Sequence, residues 1–125
     1  MDANQFSVSV EPAFLPEESD AGGGLWAYSY TVRIRNTGSR PAQLIARHWV
    51  IMDDTGRIEE VRGLGVVGQQ PLLRPGEVFE YSSWTRLRTP SGSMRGSYLC
   101  VTDEGSQFDA PIPEFVLMPP GQSLH

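Results

Sequence analysis

Residues 26–36 read Trp-Ala-Tyr-Ser-Tyr-Thr-Val-Arg-Ile-Arg-Asn, and this stretch decides the fold class. Large apolar side chains stand at every second position from Trp26 to Ile34, and small or polar side chains stand between them. A period of two places alternate side chains on opposite faces of an extended chain. The stretch therefore predicts a β-strand near residues 25–36, with one face against a core and the other in water.

Segments of similar composition flank this strand on both sides. The 13 glycines and 10 prolines of the chain fall at short intervals, which leaves no room for a long helix. Turn signals such as Asn36-Thr37-Gly38 and Asp103-Glu104-Gly105 separate the β-rich segments. The other predicted strands lie near residues 5–15, 43–53, 58–66, 78–88, 94–102 and 106–117. About seven short strands predict an all-β sandwich of antiparallel strands, a single domain over 1–125 with flexible ends at 1–4 and 119–125.

Two positions narrow the prediction to an immunoglobulin-like or fibronectin type III-like sandwich. Trp49 lies in the middle of the third predicted strand, where such folds often bury a tryptophan. Tyr98 and Cys100 lie in the sixth strand at the spacing of a tyrosine corner and a core cysteine. The chain has one cysteine, so we expect a sandwich without a disulfide.

Composition excludes several classes of function. All 10 basic residues are arginines and 15 residues are acidic, which gives a net charge of −5. A dedicated nucleic-acid binder needs an excess of basic side chains for phosphate contacts, so none is expected here. The N-terminal residues form no secretory signal, and no apolar run reaches the roughly 20 residues of a membrane span. With its single cysteine, the chain is expected to be a cytoplasmic protein that does not enter a membrane.

Beyond these patterns, several motifs closely resemble those of the ApaG family. They are Arg47-His48-Trp49, Gly63-Leu64-Gly65-Val66-Val67-Gly68, Leu73-Arg74-Pro75-Gly76, Phe79-Glu80-Tyr81-Ser82-Ser83, Thr89-Pro90-Ser91-Gly92-Ser93-Met94-Arg95-Gly96-Ser97-Tyr98 and Ile112-Pro113-Glu114-Phe115. The resemblance covers nearly the whole chain. It implies a fibronectin type III-like sandwich in the bacterial cytoplasm, encoded beside a diadenosine tetraphosphate hydrolase.

The resemblance also implies a link to cobalt tolerance and magnesium efflux. The same domain occurs in eukaryotic F-box substrate receptors and in a DNA-polymerase-interacting protein, which suggests a protein-interaction module. We interpret the cation link as indirect, because the chain offers few metal ligands. A cobalt or zinc site needs several nitrogen or sulfur ligands, and His48 is the only histidine before the C-terminal residue. No metal and no cofactor is therefore expected.

Residues 63–68 match the letters of a dinucleotide-binding fingerprint. Pro71 and Pro75 follow too closely for the helix that such a loop must open. The simpler interpretation is a glycine-rich strand end. The alternative is a loop for a nucleotide polyphosphate or pyrophosphate, in which backbone amides bind the anion and nearby guanidinium groups add charge. Its candidate residues are Arg62, Gly63, Gly65, Gly68 and Arg74.

Catalysis has little support in the sequence. Cys100 and His48 are the possible nucleophile and base, but alternation directs them to opposite faces of one sheet if Trp49 and Tyr98 face the core. We therefore expect no catalytic residues and no enzyme.

The third and sixth predicted strands also suggest a binding surface. If Trp49 and Tyr98 face the core, the outward residues are Leu44, Ala46, His48, Val50 and Met52 on one strand and Leu99 and Val101 on the other. An exposed apolar face usually marks a partner site. Val50, Met52, Leu99 and Val101 are the candidate contacts for a protein partner. The alternative, that residues 108–118 cover this face, stays open. The preferred hypothesis is a non-enzymatic protein-interaction module, and anion binding by the glycine loop is the second.

Overall fold

The computed structural model describes residues 5–121, and within them nearly every element is a β-strand. The strands are β1 (Phe6–Phe14), β2 (Trp26–Asn36), β3 (Ala42–Asp53), β4 (Ile58–Leu64), β5 (Leu72–Leu73), β6 (Val78–Leu87), β7 (Gly92–Thr102) and β8 (Gln107–Leu117). Two short 3₁₀ turns, Pro16–Glu18 and Ala21–Gly23, lie between β1 and β2. All seven predicted strands are present, and only the two-residue β5 was not predicted. The predicted flexible ends lie outside the described residues, except for 119–121.

The strands form two antiparallel sheets that pack as a sandwich. The smaller sheet has the order β1-β2-β6, and the larger has the order β4-β3-β7-β8 with β5 paired to β3. Arg33 on β2 lies opposite Glu80 on β6, and their side chains approach to 3.5 Å. No helix in residues 5–121 is long and apolar enough to cross a membrane.

Aromatic side chains from both sheets fill the core around Trp49. The Trp49 ring meets those of Tyr30, Phe115 and Tyr98 at centroid distances of 5.2, 6.0 and 6.4 Å. Offset and edge-on contacts of this kind add to the free energy gained by burying the rings. The sequence therefore placed Trp49 and Tyr98 correctly in the core, although Tyr98 makes no tyrosine corner. Its hydroxyl shares a hydrogen bond of 2.5 Å with the Tyr81 hydroxyl of the opposite sheet.

The prediction that Leu44 points outward is wrong, because Leu44 is fully buried in the core. A β-bulge shifts the pairing of β3 with β7 between Leu44 and Ala46, and the extra residue reverses which side chains face inward. Ile45 occupies the bulge, and its carbonyl accepts hydrogen bonds from the Gly65 amide at 2.8 Å and the Gln70 side chain at 2.9 Å. The predicted alternation of inward and outward side chains along β3 therefore holds from Ala46 onward, but it fails before Ala46.

Candidate functional site

The outer face of the larger sheet carries the four residues predicted to contact a partner. Val50 and Met52 point outward from β3, and Leu99 and Val101 point outward from β7. All four are half-buried by their neighbours in the sheet. Residues 107–117 do not cover this face, because they form β8 and extend the same sheet beside β7. The segment that was suggested to cover the outer face is therefore a neighbouring strand of the same sheet.

A band of charged side chains crosses the middle of this outer face. The His48 ring lies 2.8 Å from the Glu60 carboxylate, which also lies 3.6 Å from the Arg62 guanidinium. Arg95 and Glu114 approach to 4.0 Å on the other half of the sheet. The hydrogen bond from His48 is the main cause that lowers the pKa of Glu60, and the charges of His48, Arg62 and Arg95 act in the same direction. The face is therefore not continuously apolar.

The charged band separates two apolar patches. On one side, Met52 lies beside Ile58 of β4, with Val116 of β8 in the same row. We name the residues on the other side the Leu99 patch. It consists of Ala46, Leu64, Leu72, Leu99 and Val101. Leu64 is 75% exposed and Leu72 is 57% exposed, so this patch presents the more accessible apolar surface.

A groove of about 580 Å³ runs along the Leu99 patch. Ala46, Leu64 and Leu99 supply its apolar lining, while Arg62 and Asp109 stand among its polar residues. A site of this composition can hold an apolar side chain and orient it through a few polar contacts. The sequence did not predict the groove, because it requires the register of β4 against β3.

The three glycines of the candidate anion loop each have a structural role. A side chain at Gly63 would collide with the Arg47 guanidinium, because a Cβ there would lie 2.8 Å from it. Gly65 has a φ of +65°, and a Cβ there would lie 2.4 Å from the Gln69 carbonyl oxygen. Gly68 has a φ of +79° in a tight turn. The fold alone therefore explains glycine at 65 and 68, whereas a side chain at position 63 would displace the flexible end of Arg47.

The other elements of the anion loop do not converge. The amides of Gly65 and Gln69 already donate to backbone carbonyls. Arg62 lies on β4 opposite His48, whereas Arg74 follows β5, whose last residue lies opposite Ala42. The two partners on β3, His48 and Ala42, are six positions apart, which is about 20 Å along a strand. Binding of a nucleotide polyphosphate or pyrophosphate by Arg62, Gly63, Gly65, Gly68 and Arg74 stays a prediction, and this arrangement does not assemble them.

Sequence reasoning missed the role of Arg47. Arg47 lies two residues before Trp49 on β3, so its side chain starts on the same inward face. Its guanidinium donates to the carbonyls of Leu64 at 2.9 Å and Gly65 at 3.0 Å. The basic group beside the glycine loop therefore binds the loop's own backbone. An arginine at an inward position of a strand was the signal that pointed to this role.

Val67 adopts a backbone conformation that β-branched residues rarely accept. Its φ is +43°, and with Gly68 at +79° it forms the centre of a two-residue turn closed by Val66 and Gln69. Type I′ turns of this form favour Asn-Gly, and a left-handed conformation costs an ordinary residue about 1–2 kcal/mol. Val67→Asn is therefore expected to raise the free energy of unfolding by about 1 kcal/mol, measured by urea denaturation. Gly68→Ala should lower it, and a destabilising Val67→Asn would show that the Val67 side chain makes contacts that outweigh its strain.

The expected separation of His48 from Cys100 is observed. His48 lies on the outer face with Glu60, whereas Cys100 is fully buried in the core. Burial raises the pKa of the Cys100 thiol to about 12, so it stays protonated near neutral pH and is a poor nucleophile. No group of three or more His, Cys, Asp or Glu side chains that could hold a metal ion lies among the described residues.

Known proteins similar to this chain share both its sequence and its fold. The sequence model of the ApaG domain matches residues 16–102. Protein ApaG of Ralstonia nicotianae is 52% identical over 125 residues, which is all of both chains. Protein ApaG of Bordetella pertussis is 57% identical over 119 residues, which covers 95% of this chain and 90% of that protein. Neither name states a catalytic activity.

Two solved structures have the same architecture. A crystal structure from Bordetella pertussis, described as an ApaA protein, superposes with a TM-score of 0.94 at 55% identity and covers 97% of this chain and 98% of its own. A second X-ray structure superposes with a TM-score of 0.90 at 39% identity and covers 100% of this chain and 93% of its own. With the matched domain and the two-sheet topology, these similarities show that the chain belongs to the ApaG family.

Proposed function

We propose that the chain is a non-enzymatic protein-interaction module of the bacterial cytoplasm, and that its partner docks on the Leu99 patch. The observation that carries the proposal is the exposure of this patch on the larger sheet. Leu64 of β4 and Leu72 of β5 extend into solvent. The half-buried Leu99 and Val101 lie on β7, on the other side of β3. Exposed apolar surface of this kind is typical of sites that bind other proteins.

The charges around the groove specify the chemistry of the partner. Arg62 is 73% exposed at its side chain, and its nearest acidic atom, on Glu60, is 3.6 Å away. A partner that inserts an apolar side chain between Leu64 and Leu99 could place a carboxylate beside Arg62. Burial of the apolar side chain would supply affinity, and the ion pair would fix the orientation.

The family resemblance supports an interaction role. Similar domains occur in F-box substrate receptors and in a DNA-polymerase-interacting protein, both of which bind other proteins. We infer that the link of the family to cobalt tolerance and magnesium efflux acts through the bound partner. The chain itself would then neither carry the cation nor change it chemically.

Leu99→Asp is expected to weaken partner binding without unfolding the domain. Leu99 points outward, so the new carboxylate stays hydrated in the free protein and is buried only when the partner docks. Loss of a contact at the energetic centre of an interface costs about 2 kcal/mol or more, so the dissociation constant should rise by about 30-fold or more if Leu99 lies at that centre. The partner is first isolated by cross-linking and capture on the immobilised chain, and its affinity is then measured by isothermal titration calorimetry.

Two matched variants complete this experiment. Val78→Asp places the same charge at an exposed position of the smaller sheet and should leave the affinity unchanged. Val50→Asp tests the charged band itself, because Val50 lies between Glu60 of β4 and Arg95 of β7. An unchanged affinity in Leu99→Asp would exclude the Leu99 patch, and a loss confined to Val50→Asp would move the site to the charged band.

A further inference from the structure

In residues 5–121 the two sheets end at β1, β6, β4 and β8, and these edges differ in how they discourage pairing with another chain. Edge β1 contains Pro12, and edge β8 contains Pro111 and Pro113, none of which can donate a ladder hydrogen bond. These two edges also lie together, with the rings of Phe6 and Phe108 at a centroid distance of 5.4 Å. They are therefore poor templates for another strand.

The β4 edge is protected by charge. Glu59 lies between the outward residues Ile58 and Glu60, so it points toward the inside of the sandwich. Inward charges at an edge are a common device against strand addition, because pairing would bury them. The Arg47 guanidinium adds a second obstacle where it binds the carbonyls of Leu64 and Gly65.

Edge β6 has none of these protections. It is 10 residues long, contains no proline or glycine, and pairs only with β2 among the strands of residues 5–121. A cavity of about 380 Å³ lies between it and β4 and includes Ser83 and Thr85, so the larger sheet does not close over this edge. A full row of backbone groups is thus available for an added strand.

The outward face of β6 carries an aromatic side chain that alternation could have identified. Trp84 points outward from β6, as Glu80 and Ser82 do, and it is 59% exposed. The Arg86 guanidinium lies over its ring at 4.8 Å from the centroid. Tryptophan and arginine are the residues most enriched at the energetic centres of protein interfaces.

The charges of β6 are arranged symmetrically around Ser83. Glu80 lies three residues before it and Arg86 lies three residues after it, both on the outward face. In an antiparallel pair of two β6 strands centred on Ser83, Glu80 of each copy would face Arg86 of the other. Ser82 would face Trp84, and the small hydroxymethyl group would leave room for the indole. The strand is therefore complementary to itself in charge and in size.

We propose that β6 is a self-association edge, at which two copies of the chain pair antiparallel about Ser83. The two smaller sheets then form one continuous six-stranded sheet with two Glu80–Arg86 ion pairs. The present partner of Glu80 is Arg33 at 3.5 Å, and both side chains are more than half exposed, so this contact does not hold Glu80 away from a second copy. The Leu99 patch lies on the other sheet and stays accessible.

Charge reversal tests this pairing directly. Sedimentation equilibrium of the whole chain should give a molar mass that rises from monomer toward dimer with concentration. Glu80→Arg replaces two attractive pairs by two repulsive ones and should raise the dimer dissociation constant by about tenfold or more. Glu80→Arg combined with Arg86→Glu exchanges the charges and should restore the wild-type constant.

A matched variant shows whether the effect of Glu80→Arg comes from the pairing of β6 or from the change in net charge. Glu11→Arg makes the same change on β1, at the opposite edge of the same sheet, and should leave dimerisation unchanged. Amide resonances of residues 78–88 should shift with concentration in the wild type, and the amide spectrum of Glu80→Arg is recorded to check that the variant is folded. A wild type that stays monomeric at millimolar concentration, a Glu80→Arg variant that dimerises as the wild type does, or a double reversal without recovery would each overturn the proposal.

Discussion

Trp49→Ala is expected to lower the free energy of unfolding by about 3–5 kcal/mol, which is much of the stability of an ordinary domain. Trp49 is 3% exposed and contacts aromatic rings from both sheets. Its removal would leave a cavity that Tyr30 and Phe115 cannot fill without leaving their own contacts. Urea denaturation should show a lower midpoint with an unchanged m-value.

The chain provides a matched control for this prediction. Trp84→Ala removes the same side chain from a position that is 59% exposed, and it should change the free energy of unfolding by less than about 1 kcal/mol in dilute protein. Equal losses in the two variants would contradict the packing described for Trp49. Because Trp49 lies between the outward residues His48 and Val50, its loss should also disorder the outer face and weaken partner binding.

The strands could be predicted from the sequence because each decisive signal is local. Alternation from Trp26 to Ile34 depends only on which side chains are large and apolar, and the turns depend on glycine, proline and asparagine. The signal failed at Leu44, where a single extra residue reverses the parity of the strand. That bulge is stabilised by Gly65 and Gln70, which are distant in sequence.

The sequence predicted which apolar residues lie on the outer face, but it did not predict the charged side chains that cross it. Parity placed Val50, Met52, Leu99 and Val101 on one side of the larger sheet. The hydrogen bond between His48 and Glu60 requires the register of β4 against β3, which no local pattern contains. The glycine spacing at 63–68 has a partly structural explanation that no local pattern contains, since a Cβ at Gly65 would lie 2.4 Å from the Gln69 carbonyl oxygen, and anion binding there stays a prediction. Letters that match a nucleotide fingerprint carry little weight without the helix that must follow.

Asn36→Ala is expected to lower the free energy of unfolding by about 2–4 kcal/mol, a second large loss that arises from hydrogen bonds and not from packing. Asn36 is 1% exposed at the end of β2. Its side-chain amide donates to the carbonyls of Arg40 at 2.8 Å and Leu73 at 2.9 Å, and its side-chain oxygen accepts from the Gly38 amide at 2.9 Å. It thereby joins β2, the following loop and β5.

The size of this effect follows from what the substitution leaves behind. Alanine removes three hydrogen bonds and leaves the Leu73 carbonyl buried without that donor, and desolvation of an unpaired polar group costs about 1–3 kcal/mol. Thr31→Ala is the control, because its hydroxyl makes only an exposed contact with Ser82 at 2.8 Å, and its loss should cost less than about 1 kcal/mol. If urea denaturation gave the two variants the same midpoint, water would have to replace the Asn36 side chain. β5, and with it Leu72 of the Leu99 patch, would then be held in place by its pairing with β3 alone.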